Sequence, residues 1–310
     1  MMMLMMESAY IPYGQMRVCK MKRILLTGAS GFIGKNIKEA LSDRYELYCP
    51  SSQELDLKDT DHVEAYLKQH FFDVVLHTAN RNDTRNQIPA YEVLNGNLRM
   101  FYNLERCNDL YGKMIYLGSG AEYDRSNNIP YITEEYFDTS VPKDAYGLAK
   151  YIMAKTCVQK DNIYELCLFG VYGKYEEWER RFISNAICRV LKGMDITLQK
   201  NVYFDYLWID DLVKIIPFFV EKDNLQYKRY NVCRGKKFDL YSLALTVKKI
   251  LNSECAILVG EPGWKREYTA SNCRMLNEMG GFVFTDLEST IASLCEYYKK
   301  HISEIDDKKL

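Results

Sequence analysis

Thr27-Gly28-Ala29-Ser30-Gly31-Phe32-Ile33-Gly34 follows directly on the apolar run Arg23–Thr27. Three glycines at this spacing let a backbone turn tightly out of a strand, approach a pyrophosphate and seat the next helix against the sheet. The free N–H groups and positive dipole end of that helix then favour phosphate. Glycine also serves plain strand-to-helix turns. Here the preceding strand, Thr27 and the packing pair Phe32-Ile33 favour a dinucleotide site over a turn that uses glycine for geometry alone.

Outward from this turn, short apolar runs alternate with amphipathic stretches. Strands are expected at Arg23–Thr27, Tyr45–Cys49, Asp73–His77, Lys113–Leu117 and Tyr164–Phe169. Helices are expected at Phe32–Ser42, Thr60–His70, Tyr91–Leu110 and Asp144–Gln159. Such alternation implies right-handed crossovers and an α/β fold: a Rossmann-type doubly wound parallel sheet with helices on both faces. The later chain is less regular, with helices expected at Trp178–Lys192, Asp210–Val220, Leu240–Leu251, Ser271–Met279 and Leu287–Lys299. Strand signals fall there at Tyr203–Ile209, Arg229–Cys233 and Ala256–Val259. Residues 21–170 read as the dinucleotide-binding domain, with elements near 205–250 returning to it. Residues 171–310 read mainly as a smaller, interleaved substrate lobe, and residues 1–20 as a disordered extension.

With 310 residues and 47% hydrophobic content, the chain can bury a large core. Lys+Arg total 41 against Asp+Glu at 42, so there is no electrostatic case for a nucleic-acid partner. The 10 cysteines are scattered without a Cys-x-x-Cys pair, and only 4 histidines are present. That distribution favours free thiols in a reducing cytoplasm and no metal. No uninterrupted apolar run approaches the ~20 residues of a membrane span.

The glycine turn resembles the Thr-Gly-x-x-Gly-Phe-x-Gly fingerprint of the extended short-chain dehydrogenase/reductases, the NAD-dependent epimerase/dehydratase family. Further motifs follow in the family's order across roughly residues 22–300. Asp56-Leu57 resembles the pair whose carboxylate meets the adenine amine, although Asp56 also suits a helix cap. Thr78-Ala79-Asn80 resembles the segment that runs along the cofactor. His77 beside it reads as a packed strand-end residue, and Asn97 falls where the family keeps an Asn near the active site. At the end of the second strand an acid would favour NAD through the ribose hydroxyl. This chain has Cys49-Pro50-Ser51-Ser52 instead, so Ser51 and Ser52 are expected to bond a 2′-phosphate and NADP is preferred over NAD.

Hydride transfer to a carbonyl requires an acid placed at its oxygen. Tyr146 and Lys150, at i and i+4 of one helix, share a face about 5–6 Å apart at Cβ. A nearby cation stabilises the phenolate of a group whose free pKa is ~10. Tyr151 and Lys155 form an overlapping pair of the same spacing, but Tyr146-Gly147-Leu148-Ala149-Lys150 follows the family form more closely. Upstream stands Ser119, at the end of an expected strand. Ser119, Tyr146 and Lys150 together resemble the family's Ser–Tyr–Lys catalytic set, and the lysine also holds the nicotinamide ribose.

Departures from the family narrow the reaction. The dehydratases carry two carboxylates after the Ser/Thr position, where this chain has Gly120 and Ala121. The GDP-fucose synthase branch, which Glu46–Asp59 resembles, uses Cys at the second of these, and Ala121 can transfer no proton. Glu122 is expected to point away. Gly170 and Lys174 replace an Asn and a Pro of the family's Asn-x-Tyr-Gly-Pro turn, and Phe204 replaces an Arg. Asp210 and Asp211 read as helix caps. Arg266 resembles a late arginine that clamps the diphosphate, with Arg180 and Arg181 as weaker candidates; Ser119 and Ala121 are expected beside the substrate. What remains is reduction of a 4-keto-6-deoxy sugar nucleotide or, alternatively, 4-epimerisation with tightly bound NAD. A non-catalytic NADP sensor and a reductase of non-sugar carbonyls are further readings. The resemblance also implies a possible homodimer through the helices bearing Asn97 and Tyr146.

Overall fold

The computed structural model describes residues 21–310, and the expected extension at residues 1–20 lies outside them. The first half runs β1 (Arg23–Thr27), α1 (Phe32–Leu41), β2 (Glu46–Tyr48), α2 (Thr60–Gln69), β3 (Phe72–His77), α3 (Asp83–Asn86), α4 (Ala90–Glu105) and β4 (Tyr111–Ser119). Next come β5 (Ile129–Ile132), α5 (Ala145–Val158), β6 (Ile163–Leu168), β7 (Val171–Tyr172), α6 (Phe182–Leu191) and β8 (Ile196–Leu198). Then follow β9 (Tyr203–Asp205), β10 (Leu207–Trp208), α7 (Ile209–Glu221), β11 (Arg229–Val232), β12 (Lys237–Asp239) and α8 (Leu240–Leu251). The chain closes with β13 (Ile257–Val259), β14 (Tyr268–Ala270), α9 (Cys273–Met279) and α10 (Leu287–Lys300).

Six strands form one parallel sheet in the order β11-β6-β4-β3-β1-β2. Side chains alternate across it. Ile24 and Leu26 of β1, Val74 and Leu76 of β3, and Ile115 and Leu117 of β4 enter one core with Ile37, Leu212 and Ile291. Leu25, Val75, Met114 and Tyr116 enter the other with Val63, Phe101 and Met153. Burial on both faces explains why these strands read as continuous apolar runs, and each such side chain contributes roughly 1.5–3 kcal/mol.

The winding reverses between β1 and β3, because the chain leaves β1 for β2 on one side and crosses back to β3 on the other. In open α/β sheets ligands bind at such a switch point, beyond the carboxyl ends of the strands. There the glycine turn lies.

A second sheet, β12-β9-β14-β5, and two short pairs, β10-β7 and β13-β8, stand over this end. The structure corrects two expectations. The Trp178–Lys192 helix begins only at Phe182, because Arg180 and Arg181 close a turn on the Glu177 carbonyl. The Tyr203–Ile209 strand is two strands, β9 in one sheet and β10 in another. The described cysteines are all free, and no described helix is long and apolar enough to cross a membrane.

Candidate active site

At the end of β1, Gly28 has φ +72° and a Cβ there would stand 2.7 Å from the Ala79 backbone. At Gly34 a Cβ would lie 2.7 Å from Ala29 Cα and overlap the Gly28 carbonyl. Backbone therefore passes backbone with no room for a side chain. Gly31 caps α1 and no side chain accepts the first-turn amides, so these donors are left for an anion. Thr27 ties the crevice together: its hydroxyl bonds His77 Nδ1 at 2.8 Å, and its carbonyl accepts from Thr78 Oγ1 at 2.6 Å. Burial drives His77 down to about pKa 3, with Lys150 adding to the effect, which keeps the ring neutral. These residues fit a dinucleotide.

Asp144 caps α5 by accepting from Gly147 N at 2.8 Å, fixing the turn that carries Tyr146. Lys150, only 3% exposed, donates to the Leu117 carbonyl at 2.9 Å and lies 4.7 Å from the Tyr116 ring centre. Its ammonium is 5.7 Å from the Tyr146 ring centre. Ser119 Oγ, at the end of β4, accepts from Ala121 N at 3.3 Å. The competing pair is engaged elsewhere, since both Tyr151 and Lys155 bond Asp138.

One cleft of ≈1880 Å³ joins these parts. That exceeds the ~300–1,000 Å³ typical of one small ligand and suits two. Gly28, Ser30, Gly31, Phe32, Ile33 and Gly34 line it, together with Ser52, Thr78, Ala79 and Asn80. Ser119, Tyr146 and Lys150 line the same cleft, as do Arg180, Arg181 and Arg266.

Five expected site residues stand outside this lining. The Ser51 amide and hydroxyl are both bonded to Glu54, whose carboxylate thus stands at a strand end expected to lack one. Asp56 accepts from Lys58 N at 2.9 Å, while Asp59 caps α2. Leu57 is packed in the core. The Asn97 amide holds the Arg81 backbone at 2.8 and 2.9 Å, fixing the loop after β3 rather than facing the cleft. Ala121 is 1% exposed, and its amide donates to Ser119 Oγ.

Asp210 and Asp211 are not caps. Trp208 precedes α7 without a side-chain cap, and Asp211 is buried, accepting from the Thr285 amide and hydroxyl. Glu122 does point away, but through a 3-10 turn at Gly120–Tyr123 rather than strand alternation. Buried with Glu165, it pairs with Arg229, which bonds Glu165 at 2.6 Å. Burial raises the Glu122 pKa well above the usual carboxylate range, and neighbouring Glu165 adds to this.

Sequence reasoning missed Arg125, Lys143, Lys200, Trp264 and Tyr268, all lining the cleft. Gly170 explains its own departure. It has φ +45°, and a Cβ would overlap the Asp205 carbonyl, so no side chain can occupy this turn. Among the described residues, no cluster of His, Cys, Asp or Glu could hold a metal ion.

Residues 24–233 match the model of the NAD dependent epimerase/dehydratase family. The chain belongs to that family. Membership makes it an enzyme of the NAD(P)-dependent short-chain dehydrogenase/reductase type. It is 27% identical over 306 residues to a GDP-L-colitose synthase of Yersinia pseudotuberculosis, covering 89% of this chain and 97% of that protein. A GDP-L-fucose synthase of Azorhizobium caulinodans is 25% identical, with 90% and 97% covered. The fold is shared with a GDP-mannoheptose C4 reductase from Campylobacter jejuni, solved with NADP bound, at TM-score 0.77 and 20% identity over 90% of this chain and 98% of that one.

Proposed function

We propose that this chain is a reductase that uses NADPH to convert a 4-keto-6-deoxy sugar nucleotide to its 4-hydroxy product. The observation that carries the reading is that one cleft is lined by the glycine turn, Ser119, Tyr146, Lys150 and the arginines Arg180, Arg181 and Arg266. When bound, the nicotinamide supplies a hydride to the carbonyl carbon. Tyr146 delivers its phenolic proton to the carbonyl oxygen, and Ser119 donates a hydrogen bond to that oxygen. Lys150, anchored on the Leu117 carbonyl, orients the ribose. Arg266 and its cationic neighbours suit a diphosphate.

Dehydration and epimerisation beside the ketone need a second acid or base. Gly120 and Ala121 supply none, and Glu122 is sequestered by Arg229. The GDP sugars in the names of the relatives make GDP the first base to test, and Ser52 in the cleft supports NADP. A second reading, 4-epimerisation with tightly held NAD, is favoured by one observation: the Glu54 carboxylate on the Ser51 amide, at the end of β2.

Mass spectrometry of reactions with NADPH and GDP-, UDP-, CDP- and dTDP-linked 4-keto sugars separates the two. Reduction adds two hydrogens to one of them. A C4 ketone has no configuration to invert, so 4-epimerisation is read from the 4-hydroxy counterparts incubated with NAD, as unchanged mass with a shifted retention time. Inertness toward both sets ends the sugar-nucleotide reading.

A further inference from the structure

We propose that Trp264 is the platform on which the base of the substrate nucleotide stacks and that it selects a purine, a role that rests on the sugar-nucleotide reading above. Trp264 lines the cleft and is 52% exposed. Yet one face of its ring is already covered. Tyr203 of β9 stacks on it at 4.4 Å between centroids and 12° between planes, and the Lys237 ammonium lies 4.6 Å from the Tyr203 ring centre. The exposure therefore belongs to the other face and the edges of the indole. The backbone is fixed as well: Trp264 bridges Asn201, and Lys265 N donates to the Asn201 carbonyl at 2.8 Å. A flat, rigid ring backed from behind is the surface on which a planar base stacks.

The pairing with β9 sets how far this surface lies from the chemistry. Asn201 pairs with Trp264 and Phe204 with Tyr268, both in parallel. On the β9 side the two pairs are three residues apart, roughly 10 Å of extended chain. Tyr268 stands at the reacting end, since a Cβ on Gly120, next to Ser119, would overlap its hydroxyl. Arg266 lies between the two on the same run and also lines the cleft. From Ser119 outward the segment thus presents a phenol, a guanidinium and an indole. A sugar nucleotide has its parts in a matching order: the keto sugar, a diphosphate that suits a guanidinium, and the base. The fused rings of a purine cover more of an indole than the single ring of a pyrimidine, so the platform favours GDP over UDP.

The test is calorimetric titration of GDP and of UDP into the wild type, Trp264→Leu and Trp264→Phe, with NADPH titrated in parallel. The wild type is expected to bind GDP about tenfold more tightly than UDP. Trp264→Leu should bind GDP roughly 10- to 100-fold more weakly than the wild type, the scale of one base–aromatic stack, and lose most of the preference. Trp264→Phe keeps a smaller ring and should fall between. NADPH affinity and Tm are expected to be unchanged, because the ring is exposed and apart from the glycine turn. Undiminished GDP affinity in Trp264→Leu, a wild type indifferent to the base, or a parallel fall in NADPH affinity would each overturn the role of Trp264 and leave the sugar-nucleotide reading standing. A wild type that binds neither nucleotide and is inert toward both sets of sugar nucleotides would overturn both.

Discussion

The Lys150 ammonium lies 5.7 Å from the centre of the Tyr146 ring, one turn along the same helix, and is held there by the Leu117 carbonyl at 2.9 Å. That carbonyl belongs to β4, two residues before Ser119. The central strand therefore carries Ser119 and holds Lys150, while the Asp144 cap fixes the turn that carries Tyr146.

If Tyr146 is the proton donor, Tyr146→Phe removes one oxygen from the cleft and leaves the glycine turn intact. The expected loss in kcat is about 10²–10⁴-fold, the usual scale of general acid catalysis. NADPH affinity, read by fluorescence titration, should stay within about twofold. Comparable loss of both would mean that Tyr146 is structural.

Ser52 stands in the cleft at the end of β2, whereas the neighbouring Ser51 hydroxyl is spent on Glu54. A carboxylate introduced by Ser52→Asp would repel a 2′-phosphate. NADPH affinity should fall about tenfold or more while NADH affinity changes little. Wild-type binding should favour NADPH. Clearly tighter NADH would transfer the assignment to NAD and strengthen the epimerase alternative.

Gly34→Ala places a methyl group against the Gly28 carbonyl and 2.7 Å from Ala29 Cα. Both obstacles are backbone, so the helix must shift. Denaturant titration should show a loss of about 1–3 kcal/mol, typical of overpacking, together with weaker dinucleotide binding. Unchanged affinity would mean that α1 does not support the phosphates.

His77 gives a pH dependence of defined sign. Its folded pKa, about 3, is far below the ordinary 6.5. Above pH 6.5 both states are neutral and the residue contributes no slope. Below it the unfolded chain binds a proton that the folded one refuses, so stability falls by about 1.4 kcal/mol per pH unit. Between pH 7 and pH 5 the wild type should lose roughly 2 kcal/mol more than His77→Asn. Parallel losses in urea titrations would place the acid sensitivity elsewhere.

The large sheet was legible because its physics is local. Arg23–Thr27, doubly buried, reads as an apolar run, and the glycines after it fall at the spacing of a dinucleotide-binding turn. The upper lobe was legible only in part: Ala256–Val259 read as a strand and forms β13, and Tyr203–Ile209 holds β9 and β10, whereas β7 and β8 have two or three residues each, too short for any periodicity. Among 25 tyrosines nothing marked Tyr268, which the pairing of β14 with β5 and β9 carries to the cleft. Asp211 misled for a related reason: an acid in a first helical turn suggests a cap, while its true partner, Thr285, is distant in sequence.

Deuterium tracing from 4-deuterated NADPH into a GDP-linked 4-keto sugar tests the reductase assignment most directly. The expected outcome is one deuterium at C4 of the product and one NADP formed per sugar reduced, both lost in Tyr146→Phe. A product free of cofactor deuterium, formed with no net NADPH consumption, would contradict it.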